Sequence, residues 1–208
     1  MKAVIFDLDG TLWDATEALT AVWQRELNRI GIRRTLTLRH MIGGMGLGPE
    51  ALAQHMAPEL PLEQRESFFR HVTRVETDFI PEYGAKLYPG LADTLKTLAK
   101  NFRLMIASNC VDGYIEAFLR YSGLEAQISD FLHPGITGLP KADNIRLLME
   151  RNAVSEAVMV GDTFLDYEAA RDAGIPFIHA SYGFGRAEGA KWCIAALSEL
   201  PALLQKIL

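Results

Sequence analysis

The chain has 208 residues, 49% of them hydrophobic and 23% charged, which suits one α/β domain with a small insertion and excludes a disordered chain. Its net charge of −5 argues against a nucleic-acid-binding surface. No apolar run approaches the ~20 residues of a membrane span, and Cys110 and Cys193 have neither disulfide-framework nor metal-site spacing.

Ala3, Val4, Ile5 and Phe6 form an uninterrupted apolar run, the pattern of a strand buried on both faces of a parallel sheet. No signal peptide precedes it, so a soluble cytoplasmic protein is expected. The strand ends in Asp7-Leu8-Asp9-Gly10-Thr11-Leu12. Residues 14–31 have helical periodicity through Leu19, Val22, Trp23, Leu27 and Ile30. Asp14 and Glu17 have capping-box spacing, and Gly31 stands where a C-cap belongs. A shorter helix over 37–42 runs into the glycine-rich loop 43–48, and Pro49 opens another as a first-turn proline. A longer helix covers 61–79, with Leu62, Phe68, Phe69, Val72, Val75 and Phe79 on one side, until Pro81 and Gly84 break it. Residues 14–83 contain no convincing strand. They predict a small helical domain inserted directly after the first strand.

The α/β pattern then resumes. A helix carries Leu91, Leu95 and Leu98, and a buried strand over 102–107 ends in Ser108-Asn109. A helix with Ile115, Phe118 and Leu119 stops at Gly123, and a weak strand lies near Phe131-Leu132. Residues 141–152 are helical, 157–160 form a short apolar strand, 166–173 are helical and 176–180 form a further strand. An edge strand around 192–195 and a helix after Pro201 close the chain. Cys193, in an apolar run, is expected to be a small buried hydrophobe. This alternation implies a parallel, doubly wound sheet, whose ligands bind outside the carboxyl ends of the strands.

Four groups of residues fall at such ends. Alternation puts Asp7 and Asp9 on the same side of the chain, where they repel unless a cation lies between them. Hard divalent ions such as Mg²⁺ take carboxylate and carbonyl oxygens. Gly10 allows a tight turn, and Thr11 offers a hydroxyl and an amide to an anion. For Asp-x-Asp alone, an acidic loop capping a strand is the plainer alternative. Ser108 and the Asn109 amide suit a phosphate oxygen, or a helix cap. Lys141 opens a helix, where the macrodipole favours anions; a nearby phosphate or carboxylate resolves that mismatch. A lysine in that position is expected to contribute little to stability. Asp162 and Asp166 bracket the turn after the strand over 157–160, as ligands or as turn and cap residues.

Asp7-Leu8-Asp9-Gly10-Thr11-Leu12 after an apolar strand resembles the first motif of the haloacid dehalogenase superfamily. The likeness is to its phosphoglycolate phosphatase and β-phosphoglucomutase-like branch with a helical cap. Ser108, Lys141 and Gly161-Asp162-Thr163-Phe164-Leu165-Asp166 resemble the second, third and fourth motifs, in that order. The resemblance implies a Rossmann-like core formed by residues 1–13 and 85–208, with residues 14–84 as the cap. It implies a Mg²⁺-dependent phosphatase that hydrolyses a small-molecule phosphomonoester through an aspartyl phosphate. Asp7 is then the nucleophile and Asp9 the general acid/base. Mg²⁺ is held by Asp7, the Asp9 backbone carbonyl and Asp162, with Asp166 completing or supporting the sphere. Thr11, Ser108, Asn109 and Lys141 hold the phosphate oxygens.

A phosphomutase of the same superfamily shares every one of these residues. A haloacid dehalogenase is opposed by Asp9, since that branch lacks the second Asp. A phosphonate hydrolase needs a cap lysine, and no lysine lies between Lys2 and Lys86. A phospho-receiver domain needs neither this length nor a helical insertion. The loop 43–48 follows no strand and is no dinucleotide fingerprint. It is either a substrate-selecting cap loop, as its position resembles, or a plain helix connection. Arg33, Arg34, Arg39 and His40 beside it are candidates to favour an acidic phosphoester, or else face water.

Overall fold

The computed structural model describes residues 1–208. The first segment runs β1 (Lys2–Phe6), β2 (Trp13–Asp14), α1 (Thr16–Arg29), α2 (Leu38–Gly44), α3 (Pro49–Met56), α4 (Leu62–Tyr83) and β3 (Lys86–Leu87). It continues with α5 (Leu91–Leu98), β4 (Arg103–Ala107), α6 (Tyr114–Ser122), β5 (Ile128–Leu132), α7 (Pro134–Thr137) and α8 (Lys141–Arg151). The last part is β6 (Glu156–Gly161), α9 (Phe164–Ala173), β7 (Phe177–Ala180), β8 (Trp192–Ile194) and α10 (Leu200–Ile207). No helix is long and apolar enough to cross a membrane.

The main sheet has the order β5-β4-β1-β6-β7-β8 and is parallel throughout. Because β1 is covered on both faces, its side chains divide by alternation. Ala3 and Ile5 join the apolar layer under α8 and α9, with Ile145, Leu148 and Ala170. Val4 and Phe6 join the opposite layer, with Leu95, Phe118 and Leu204 from α5, α6 and α10. The chain leaves β1 toward β4 and β5, then crosses back to β6 on the other side. The carboxyl end of β1 is therefore the point where strand order reverses, and a crevice opens there.

Helices α1–α4 are inserted through a narrow antiparallel ribbon in which Trp13 pairs Leu87 and Asp14 pairs Lys86. Their apolar faces, including Trp23, Phe69 and Ile80, run into the same layer as Phe6 and Phe118. The insertion differs from the sequence expectation in several details. Asp14 does not form a capping box with Glu17; its Oδ1 accepts from Thr16 N at 3.0 Å and Thr16 Oγ1 at 2.6 Å. Pro81 does not end α4, which runs to Tyr83 before Gly84 at φ +81°. The proline removes one hydrogen bond. The buried Ile80 and a 3.8 Å stack of Phe79 on Tyr83 hold the final turn in place. Leu62 is 65% exposed, because the packed face of α4 begins only at Phe68. Cys193 is exposed, not buried, since alternation on the edge strand β8 turns inward Ile194 instead.

Gly10 shows how tightly the β1 turn is built. It has φ +77°, and a Cβ there would lie 2.2 Å from Asp162 Oδ2. Gly10→Ala is therefore expected to lower the unfolding free energy by at least ~2 kcal/mol, combining left-handed strain with a backbone shift. Urea denaturation measures this; an unchanged midpoint would show that the turn can relax.

Candidate active site

Asp7 follows the last residue of β1, Ser108 that of β4 and Asp162 that of β6, so three neighbouring strands deliver them to one crevice. Asp7, Asp9, Ser108, Asn109, Lys141 and Asp166 line a single cavity. Asp162 lies fully buried behind it, and Thr11 is fully buried outside the lining. Thr11 Oγ1 has no partner, while its carbonyl accepts from Tyr182 Oη at 2.8 Å.

Lys141 is the centre of charge. It stands at the first residue of α8 with only 7% of its surface exposed. Its Nζ donates to Asp7 Oδ1 at 2.7 Å and Asp166 Oδ1 at 2.6 Å. These carboxylates resolve the conflict between a cation and the positive end of a helix. Burial alone would depress the lysine, but Asp166 and Asp7 outweigh it and hold its pKa above the ordinary value. The other oxygen of Asp166, Oδ2, accepts from Thr163 N at 3.0 Å and Thr163 Oγ1 at 2.7 Å. This is a capping box with Thr163 as N-cap, so α9 begins two residues before Asp166.

Asp162 Oδ2 accepts from Phe184 N at 2.7 Å, and the loop after β7 closes over it through Gly183. A Cβ at Gly183 would lie 2.3 Å from Asp162 Cβ and 2.4 Å from Gly10 O. Asp162 Oδ1 is buried and has no partner. Oxygens of Asp7, Asp162 and Asp166 lie within 4.8 Å of one another. Three carboxylates against one lysine leave the cluster short of positive charge. Burial, then the charges of Asp7 and Asp166, push Asp162 up to about 8. Burial raises Asp7 to about 6 despite Lys141. Hard oxygen donors, an orphaned carboxylate oxygen and a charge deficit together suit a divalent cation.

Asp9 is held differently. Its Oδ1 accepts from both Trp13 Nε1 at 3.0 Å and Tyr114 Oη at 2.9 Å. Trp13 is fixed in turn by edge-on contacts with Tyr114 and Phe118. Burial and then the charge of Asp7 raise Asp9 to about 7, with the Tyr114 and Trp13 hydrogen bonds pulling the other way. A carboxyl near neutrality in a cavity can both give and take a proton.

The insertion supplies the cavity's other walls. Gly44, Met45, Gly46 and Leu47 of the glycine-rich segment line it, and Asn109 Nδ2 donates to Gly46 O at 3.4 Å. Arg33, Arg34, Arg39 and His40 are absent from the lining; Arg34 pairs with Glu59 instead. Trp13, Tyr114 and Glu76 escaped sequence reasoning. An aromatic or a glutamate at helical spacing looks like any other packed or solvated residue, and no local pattern marks its long-range partner.

Residues 4–180 match the family model for haloacid dehalogenase-like hydrolases. A phosphoglycolate phosphatase from Rhodospirillum rubrum is 30% identical, with 89% of this chain and 81% of that protein covered. A phosphoglycolate phosphatase from Synechococcus elongatus is 29% identical, with 100% and 97% covered. The crystal structure of a predicted phosphoglycolate phosphatase from Haemophilus somnus superposes with a TM-score of 0.86 at 20% identity, covering 99% of this chain and 98% of that one. The similarity to these proteins extends over the sheet and the inserted helices alike. With a matching family model over residues 4–180, the chain belongs to the haloacid dehalogenase-like hydrolase family.

Proposed function

We propose that this hydrolase is a Mg²⁺-dependent phosphatase that cleaves a small-molecule phosphomonoester through a phosphoryl group carried on Asp7. The observation that carries the reading is the buried cluster itself. Asp7 is oriented by Lys141, lies within 4.8 Å of a carboxylate oxygen of Asp162, whose Oδ1 has no partner, and shares its cavity with Asp9. Phosphatases are also what the two curated relatives are named.

Asp7, the Asp9 carbonyl and Asp162 would hold Mg²⁺, with Asp166 in support, because both Asp166 oxygens already accept hydrogen bonds. The ion supplies charge neutralisation between the attacking carboxylate and the phosphate. Asp7 attacks phosphorus and forms the P–O bond as the ester oxygen leaves. Asp9 protonates that oxygen, then deprotonates the water that hydrolyses the acyl phosphate. Lys141, Ser108 and the Asn109 amide face the remaining phosphate oxygens, where charge must be stabilised. Thr11 serves the site through its backbone and turn, since its side chain is outside the lining. Residues 14–84 act as a cap on a core of residues 1–13 and 85–208, its loop over 45–48 closing on Asn109 to exclude bulk water.

A panel of phosphate esters assayed with and without Mg²⁺ tests the reading. EDTA is expected to abolish hydrolysis of p-nitrophenyl phosphate, and Mg²⁺ to restore it. Mg²⁺ at a hundred times its Kd should also stabilise the fold by ~2.7 kcal/mol. Asp162→Asn should lose most of that gain. Full turnover in metal-free buffer would overturn the assignment.

A further inference from the structure

Resting on the phosphatase reading above, we infer that Glu76 of α4 selects the leaving group. The enzyme prefers phosphomonoesters of small alcohols that carry a hydrogen-bond donor and no second anion. Glu76 lines the catalytic cavity although 94% of its surface is covered, its exposure being 6%. Its Oε1 accepts from Trp23 Nε1 at 2.5 Å, and Oε2, with no donor from the chain, is not sealed in the interior. Because Glu76 lines the cavity, a bound molecule can offer that oxygen a donor.

The surroundings sharpen the choice. Leu19, Met41, Leu47 and Phe69 make the same walls apolar, so they grip a small carbon skeleton. No arginine or histidine lines the cavity, and its lysine, Lys141, is committed to Asp7 and Asp166. A leaving group bearing a carboxylate would therefore meet Glu76 and Asp9 with no cation to answer it. Burial, with Asp9 adding to it, pushes Glu76 up to about 8. That shift comes mainly from burial, so the position tolerates added negative charge poorly. A hydroxyl or ammonium on the substrate can donate to Glu76; a second anion finds no free counter-charge in the lining. The names of the relatives do not carry over to this chain's substrate.

The test measures kcat/KM for the Mg²⁺-loaded enzyme with O-phosphoethanolamine, glycerol 3-phosphate, 2-phosphoglycolate and p-nitrophenyl phosphate. At least one of the two donor-bearing esters is expected to exceed 2-phosphoglycolate by about tenfold or more, the scale of one charge-assisted hydrogen bond. If neither does, the inference is overturned even while p-nitrophenyl phosphate is cleaved. If p-nitrophenyl phosphate is not cleaved either, the phosphatase reading itself has failed. Glu76→Gln keeps an oxygen to accept from Trp23, so circular dichroism and the melting curve should stay close to those of the parent. Its ratio between the better donor ester and 2-phosphoglycolate should fall at least about fivefold. An unchanged ratio in a folded variant would reduce Glu76 to a support for Trp23.

Discussion

Asp7→Asn is expected to hydrolyse no phosphomonoester and to take up no phosphoryl group, a loss of roughly 10⁴-fold or more, as befits removal of a nucleophile. The fold should persist, because Asn retains an oxygen to accept from Lys141 Nζ in place of the 2.7 Å bond. Asp9→Asn should behave differently. Trp13 and Tyr114 both donate to one Asp9 oxygen, so an amide oxygen can occupy the same position and keep the side chain aimed. The backbone carbonyl offered to the metal is untouched. What disappears is the proton shuttle. Alkyl phosphates should suffer most, since their alkoxide must be protonated to leave. With p-nitrophenyl phosphate the leaving anion is already stable, so the first step should be faster. Breakdown still needs a base, so phosphorylated Asp7 should accumulate. Rapid mixing would show a burst of nitrophenol, and mass spectrometry would locate the label. A label on any other residue, or equal loss with both ester types and no burst, would falsify these roles.

Lys141→Met should cost both activity and stability. Loss of one electrostatic donor to the phosphoryl group lowers turnover by about 10²-fold or more. The sequence alone predicts little cost in stability. The structure reverses that expectation, because Lys141 is buried between Asp7 and Asp166. Removing it leaves two covered carboxylates without a counter-charge, a defect on the scale of ~3–5 kcal/mol. Urea denaturation in metal-free buffer measures it. Adding Asp166→Asn to Lys141→Met should recover part of the stability by deleting one of the stranded charges, yet recover no activity. A single variant as stable as the parent would mean that water reaches the cluster and solvates it.

Much of the fold was legible in the sequence. Apolar runs such as 3–6 and 157–160 have the pattern of strands covered on both faces, and their alternation with helices implies a parallel sheet. Helix and strand signals are local: they lie within a few residues of the positions they govern. For the same reason Asp7, Asp9, Lys141 and Asp162 stood out, each marked by the turn or helix start beside it. Three kinds of fact lay beyond the sequence. Which face of a short edge strand is covered depends on the neighbouring layer, and so Cys193 turned out exposed. Whether a proline ends a helix depends on what packs beyond it, and α4 continued through Pro81. The partners of charged groups are set by contacts between segments far apart in the chain. Tyr114 reaches Asp9 across 105 positions, Lys141 reaches Asp7 across 134, and Trp23 reaches Glu76 across 53. Residue types fix what a side chain can donate, accept or neutralise, but only the closed tertiary structure decides which group it meets and how little water remains between them.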